Sequence, residues 1–132
     1  MTSAGPRVRM VAAAVFRTGA GGMDDLLVID RAGAAQLPAG SVEDGEATDD
    51  AALRAVTQQT GLAVELRTLI STVDEVAGGE QRRRWIYILD AEEGGSAEWT
   101  HGDAHCRWIA YATAELDEAS QPWLDLVRAD LP

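Results

Sequence analysis

A loop rich in proline and glycine, followed at once by a short helical segment, is the feature that most restricts the fold of this chain. It occupies residues 37–62, with the sequence LPAGSVEDGEATDDAALRAVTQQTGL. Thr48 is a suitable N-cap and Gly61 a suitable C-terminal stop, so the pattern predicts a helix over residues 48–60. Its alanine, leucine and valine residues supply an apolar face, which has to pack on another layer of structure.

Apolar runs on both sides of this unit predict strands. Residues 8–16 and 26–30 are such runs, and the glycines at 19–22 between them predict a hairpin. Residues 62–76 are more strand-like than helical. Residues 84–90 predict a strand with aromatic Trp85 and Tyr87 on one face and Ile86 and Ile88 on the other.

The C-terminal part predicts a short strand over residues 107–110, a helix over residues 113–119 and a second helix after Pro122. Strands and helices therefore alternate, which is typical of an α/β or α+β fold with one mixed β-sheet flanked by helices. A length of 132 residues is that of one domain, so we expect a single domain over residues 1–132.

Composition excludes several classes of function. The chain has 22 Asp and Glu against 11 Arg and no Lys, a formal net charge of −11. This charge argues against binding to duplex nucleic acid or to an anionic membrane surface. No apolar run is long enough to cross a bilayer, and the N-terminal residues lack the apolar core of a secretory signal. With Cys106 as the one cysteine, no internal disulfide forms, and we expect a cytoplasmic protein.

The loop and helix resemble the Nudix box, in which Gly, five residues, Glu and seven residues precede Arg-Glu-apolar-x-Glu-Glu-x-Gly-apolar. The order of the other predicted elements is also similar to that of a Nudix domain, over residues 8–120. The resemblance implies a Nudix-like α/β/α sandwich and a site for nucleoside-diphosphate-linked molecules. The residues that match the box, with its spacing intact, are Gly40, Glu46, Arg54, Val56, Gly61 and Leu62.

The departures from the box fall on the residues that the family uses for metal. Three glutamates on one helix face hold Mg²⁺ or Mn²⁺ in Nudix hydrolases, but here the matching residues are Ala55, Gln58 and Gln59. Magnesium depends on charged oxygen ligands. Each lost charge removes on the order of 4 kcal/mol of attraction at about 4 Å and an effective dielectric constant of about 20. We therefore predict no metal ligands and no certain cofactor.

Other residues are candidates for a site. Arg54 is expected to form an i, i+4 ion pair with Asp50, and Gly40 and Gly45 are expected to be turn glycines with positive φ. The cluster of His101, His105 and Cys106 is typical of a metal site only if its side chains converge, and its role stays open. The candidate ligand-binding residues are Arg31, Gly40, Arg54, Gln58, Gln59, Arg84 and Tyr87.

Two functions follow. The first is a Nudix-fold protein without the metal-binding glutamates that binds a nucleotide-like or diphosphate-linked small molecule, with little or no standard diphosphohydrolase activity. The alternative is a hydrolase of nucleoside-diphosphate-linked substrates that depends on Mg²⁺ or Mn²⁺ and uses relocated carboxylates. Its candidate catalytic residues are Glu43, Glu46 and Glu75, with Asp50 and Glu80 as further carboxylates. A homodimer is compatible with either function.

Overall fold

In the computed structural model, which describes residues 8–18, 24–92 and 95–131, eight strands form one sheet with an α-helix on each face. The strands are β1 (Val8–Thr18), β2 (Asp24–Arg31), β3 (Ala34–Gln36), β4 (Ala39–Ser41), β5 (Val64–Ala77), β6 (Glu80–Ala91), β7 (Glu98–His101) and β8 (Ala104–Ala110). The helices are α1 (Thr48–Thr60) and α2 (Gln121–Asp130), and a short 3₁₀ helix covers Tyr111–Thr113.

The sheet is mixed, as the sequence predicts. Its main order is β5-β6-β1-β2-β8-β7, with β3 beside β2 and β4 beside β1. Strands β1 and β6 run parallel, and the other pairs are antiparallel. The predicted antiparallel pairing of β1 with β2 is confirmed, whereas the glycine turn at 19–22 lies outside the described residues.

Alternation along β1 explains the two layers of core. Val11, Ala13 and Val15 pack with α1, and Ala12 and Ala14 pack with α2. Because successive side chains of a strand point to opposite faces, the buried residues 11–16 of one strand supply both cores. The predicted alternation in β6 is confirmed in the same way, with Tyr87 on the α1 side and Ile86 and Ile88 on the α2 side.

The first helix begins and ends close to the predicted residues, but its N-cap differs. Ala47 is the N-cap and makes no side-chain cap bond, so the prediction that Thr48 is the cap is wrong. The Thr48 hydroxyl instead lies 2.6 Å from the Tyr87 hydroxyl. Gly61 ends the helix with φ of 75°, a conformation that glycine adopts without steric cost.

Two further predictions of secondary structure are wrong. The loop between residues 36 and 46 contains β4, which pairs with β1. The helix predicted over residues 113–119 does not form, since the 3₁₀ helix ends at Thr113 and backbone groups that follow bind elsewhere: the Asp117 amide donates to the Ala35 carbonyl, and the Leu116 amide donates to the Gln121 side chain. In the described residues no helix is long and apolar enough to cross a membrane.

Candidate ligand site on the first helix

Strand β4 lies directly against α1 at Gly40 and Ala55. A Cβ added to Gly40 would lie 3.5 Å from the Ala55 Cβ and 3.9 Å from Gln59 Nε2. Ala55 is 3% exposed. Gly40 does not have a positive φ, so the prediction of a turn glycine is wrong here, although it is correct for Gly45 with φ of 78°. The small side chains at 40 and 55 thus allow the strand to approach the helix.

Arg54 connects the helix to the loop that precedes it. Its Nε and Nη2 donate to the two carboxylate oxygens of Glu46, both at 2.9 Å, and Nη2 also donates to the Ser41 carbonyl at 2.8 Å. Nη1 donates to Gln58 Oε1 at 3.2 Å and lies 4.0 Å from the Glu43 carboxylate. The guanidinium therefore uses nearly its whole donor edge on groups of this protein.

These contacts stabilise the charged form of Glu46. The hydrogen bonds from Arg54, together with one from the Glu43 amide at 3.0 Å, lower the pKa of Glu46 from 4.5 to about 2. Among the described ion pairs, Arg54 forms none with Asp50, so the predicted i, i+4 pair is wrong. A bidentate pair with Glu46 prevails over a helix-surface pair, which contributes only about 0.2–0.5 kcal/mol.

Gln58 and Gln59, at the positions where the resemblance to the Nudix box implies glutamates, have amide orientations that their partners fix. Gln58 Oε1 accepts from Arg54, which can only donate. Gln59 Nε2 donates to the Ala39 carbonyl at 2.6 Å, because a carbonyl can only accept. Gln59 Oε1 is then left to accept from Arg31 Nη2, at 3.4 Å. Each glutamine thus has a partner that determines which end of its amide faces the site.

The residues present do not fit the divalent cation that the family binds on this helix. The side chain of Ala55 is buried and has no atom that could bind a metal ion. The side-chain amides of Gln58 and Gln59 are held by hydrogen bonds to Arg54 and to the Ala39 carbonyl. Both oxygens of Glu46 already accept from Arg54. Within the described residues, no group of three His, Cys, Asp or Glu side chains is arranged to hold a metal ion. The other candidate carboxylates of this loop and helix are exposed, Glu43 at 4.0 Å from Arg54 and Asp50 on α1, whereas a hard cation such as Mg²⁺ needs several charged oxygen ligands arranged together.

Glu75 and Arg84 do not join this site. Arg84 Nε donates to both oxygens of Glu75, at 3.0 and 3.1 Å, and Trp123 Nε1 of α2 donates to the same carboxylate at 2.7 Å. The guanidinium carbon of Arg84 lies 4.1 Å from the centre of the Trp123 ring. Both residues therefore lie on the α2 face, with the sheet between them and Glu46, so a relocated site that combines Glu43, Glu46 and Glu75 does not form.

Tyr87 and Glu80 also make other contacts. Tyr87 is 6% exposed under α1, where its hydroxyl bonds to Thr48, so its ring is not a surface on which a base stacks. Glu80 pairs with Arg82 at 3.3 Å. Of the ten candidate residues the structure brings seven together around α1 and β4: Arg31, Gly40, Glu43, Glu46, Arg54, Gln58 and Gln59.

The histidines and the cysteine near the C-terminus do not converge. His101 packs on Gly61, where an added Cβ would lie 2.9 Å from its Nδ1. His105 Nδ1 lies 3.1 Å from Asp30 and its Nε2 lies 3.5 Å from Glu98. Cys106 is 0% exposed, and burial raises the pKa of its thiol. The three side chains therefore do not form the metal site that their spacing in the sequence had suggested as a possibility.

Backbone atoms are the part of the site that sequence reasoning missed. The carbonyls of Ala39 and Ser41, both on β4, accept from Gln59 and Arg54 respectively. Carbonyl groups are present at every residue, so the sequence contains no signal for them. Only the pairing of β4 with β1 fixes their direction.

Comparison with known families gives a consistent result. The family model of the NUDIX domain matches residues 8–129. An RNA pyrophosphohydrolase from Novosphingobium aromaticivorans is 31% identical over 99 residues, which cover 63% of this chain and 56% of that protein. The match therefore spans little more than half the length of this curated relative.

Solved structures share the fold. The Nudix hydrolase RenU from M. smegmatis superimposes with a TM-score of 0.73 and 24% identity, over 96% of this chain and 87% of that chain. The NUDIX domain of Shewanella oneidensis NrtR, in complex with ADP ribose, superimposes with a TM-score of 0.68 and 16% identity, over 99% and 91% of the two chains. At these identities the similarity shows the architecture alone.

Proposed function

The chain belongs to the Nudix hydrolase family, and from this we propose that it binds a nucleotide-like or diphosphate-linked small molecule with little or no metal-dependent diphosphohydrolase activity. The fold and the loop–helix unit are those of the family. The chemistry of the α1 face differs, and this difference determines the proposal.

One observation carries the proposal: Gln59 Nε2 donates to the Ala39 carbonyl at 2.6 Å. The residue stands where the family has a metal-binding glutamate. A carboxylate has no N–H, so it would place an acceptor against an acceptor at this point. The residue is therefore used for a structural bond that the family's glutamate cannot make, which supports the loss of metal binding.

The neighbouring positions support the same proposal. Ala55 is buried beside β4, where a Cβ added to Gly40 would lie 3.5 Å from the Ala55 Cβ, and Arg54 neutralises Glu46. Where Nudix hydrolases concentrate three negative charges, the side chains at 55, 58 and 59 carry none. A water molecule therefore lacks the cation that would lower its pKa for attack on phosphorus.

The class of ligand is inferred from the relatives together with the donors at this site. The NrtR domain is solved with ADP ribose, and the curated relative is an RNA pyrophosphohydrolase. Both names imply phosphoric anhydride groups. In this chain the side chains of Gln58 on α1 and of Arg31, which contacts Gln59 of the same helix, offer N–H groups, and phosphoryl oxygens accept such hydrogen bonds.

The hydrolase alternative has less support. Glu75 lies across the sheet, and Glu46 is bound through both oxygens. Glu43, with a side chain 69% exposed, and Asp50 on α1 remain, and exposed carboxylates that are not arranged as a group are a weak site for Mg²⁺.

The proposal is tested by a thermal-shift panel of ADP, inorganic pyrophosphate, NAD and ADP ribose, paired with an assay for phosphate products in Mg²⁺ or Mn²⁺. A ligand that binds the folded chain raises its melting temperature by mass action. We expect a shift with at least one member and no product. A Glu46→Gln variant purified in the same way controls for contaminating hydrolases.

Two results would overturn the proposal. Absence of any shift at millimolar ligand would contradict ligand binding. Product formation that EDTA abolishes, and that the Glu46→Gln variant lacks, would instead identify a metal-dependent hydrolase.

A further inference from the structure

Arg31 differs from the other arginines of the described residues in its partners. Of the other nine described arginines, seven form ion pairs with Asp or Glu, and Arg9 and Arg128 donate to backbone carbonyls. In the described part of the chain, Arg31 has one hydrogen bond, the 3.4 Å contact with Gln59 Oε1. The seven paired arginines are Arg17, Arg54, Arg67, Arg82, Arg83, Arg84 and Arg107.

That no described carboxylate pairs with Arg31 is notable in so acidic a chain. Twenty-two Asp and Glu are available to 11 Arg. The carboxylate next to Arg31 in sequence, that of Asp30, is bound by Arg107 at 2.7 and 3.1 Å and by His105 at 3.1 Å. Arg31 is exposed at the end of β2, so its positive charge faces the solvent beside α1.

The two glutamines lie side by side in sequence on α1, where Gln59 contacts Arg31 and Gln58 adds further donors. Arg54 donates to the side-chain oxygen of Gln58, which leaves both N–H groups of the Gln58 amide without a partner among the described residues. The side-chain oxygen of Gln59 accepts a hydrogen bond from Arg31, and its amide nitrogen donates to the Ala39 carbonyl. The side-chain groups turned away from their protein partners are therefore N–H donors, on a guanidinium and on an amide.

Such a set of donors fits a phosphoryl group. A guanidinium offers a planar fork that binds two phosphoryl oxygens at once, and it remains charged at every physiological pH. Amide N–H groups add hydrogen bonds without adding charge. A divalent cation serves the same purpose in the family by neutralising those oxygens.

We propose that Arg31 and the Gln58 amide bind the diphosphate of the ligand directly, so that ligand binding needs no divalent cation. This inference rests on the proposed function, since it concerns the same ligand. Arg54, whose charge is neutralised by Glu46, acts as a positioning residue that orients Gln58. Gln59 orients Arg31 in the same way.

The test is calorimetric titration of the full chain with ADP ribose, or with inorganic pyrophosphate, first in EDTA and then in Mg²⁺. We expect the same Kd in both buffers. Arg31→Ala is expected to weaken binding by about tenfold to a hundredfold, as for loss of a hydrogen bond to a charged group, and Arg31→Lys by less. Arg82→Ala, which removes an arginine paired with Glu80, is the matched control and is expected to bind like the wild type.

The outcomes separate the two proposals. Binding that appears only with Mg²⁺ would overturn metal-independent recognition and leave ligand binding intact. Equal binding by Arg31→Ala and the wild type in EDTA would overturn the role of Arg31. No binding of either probe in either buffer would contradict the proposed function, and this inference with it. Melting temperatures of the variants establish that each one is folded.

Discussion

Arg54 and Glu46 form a bidentate ion pair, with Nε–Oε2 and Nη2–Oε1 distances of 2.9 Å each. The pair joins α1 to the preceding loop and uses both carboxylate oxygens of Glu46. An arginine that binds a glutamate in this way leaves that glutamate with little capacity for a cation. The pair therefore neutralises the charge of Glu46 and holds it by hydrogen bonds within the protein.

This pair makes stability depend on pH. The pKa of Glu46 is lowered to about 2 in the folded chain from an ordinary value of 4.5, chiefly by the hydrogen bonds from Arg54. The unfolded chain thus binds the proton more tightly, so the contribution of Glu46 is complete above about pH 4.5. It is lost as the pH falls from there through about 2. Urea unfolding of the wild type and Glu46→Gln should differ at pH 7 and converge near pH 2.

Glu43→Gln is the matched control for that comparison. The Glu43 carboxylate is mostly exposed and lies 4.0 Å from Arg54, so its loss should change stability little at any pH. A difference between wild type and Glu46→Gln that is the same at every pH would contradict the lowered pKa.

Glutamate should be tolerated at position 58 and not at position 59. Gln58→Glu keeps an oxygen for Arg54, whereas Gln59→Glu loses the N–H that binds the Ala39 carbonyl. An unsatisfied polar group costs about 1–3 kcal/mol. The free energy of unfolding, measured in urea, should therefore fall by that amount for Gln59→Glu and by less for Gln58→Glu. Equal losses in the two variants would show that the Gln59–Ala39 bond has no special role.

Arg84 is expected to matter for stability alone. Its side chain is 6% exposed and binds Glu75 and the Val11 carbonyl, with Trp123 over the guanidinium. Removal of one member of a buried ion pair typically costs about 3–5 kcal/mol, and the partial exposure of Glu75 places Arg84→Ala toward the lower end. Ligand affinity of the folded variant should equal that of the wild type. If Arg84→Ala lost ligand affinity while its free energy of unfolding stayed unchanged, Arg84 would instead belong to the ligand site.

Cys106 offers a probe of the core beneath the site. Its thiol is fully buried, lies 3.8 Å from the Gln59 carbonyl oxygen, and has a pKa raised by burial. Thiolate is the reactive form, so a disulfide reagent should label the native chain slowly and the urea-unfolded chain fast. Cys106→Ala provides the blank. Rapid stoichiometric labelling of the native chain would contradict the packing of β8 under α1.

The sequence was sufficient for the layers of the fold. The apolar run of β1, the alternation of β6 and the stop at Gly61 each follow from local chemistry that the structure preserves. Residues 113–119 were not predictable in this way, because a distant strand, β3, supplies the partner of the Asp117 amide. Local patterns do not contain such long-range bonds.

The site was predictable in part for a similar reason. Box spacing identified Gly40, Arg54, Gln58 and Gln59, since all lie on one helix or on the strand beside it. Alternation along β5 does not predict on which face of the sheet Glu75 lies, because the pairing of β5 has irregularities between Leu66 and Thr68 and between Leu69 and Ser71. Such irregularities shift which residues point to which side of a sheet.

The central claim is that the α1 face binds no divalent cation, and a titration of the full chain with Mn²⁺, followed by the electron paramagnetic resonance of the free ion, tests it most directly. At pH 7 the wild type and Glu46→Gln should leave the same fraction of Mn²⁺ free into the millimolar range, since any binding is weak and comes from the acidic surface. Saturable Mn²⁺ binding by the wild type that Glu46→Gln abolishes would contradict the claim.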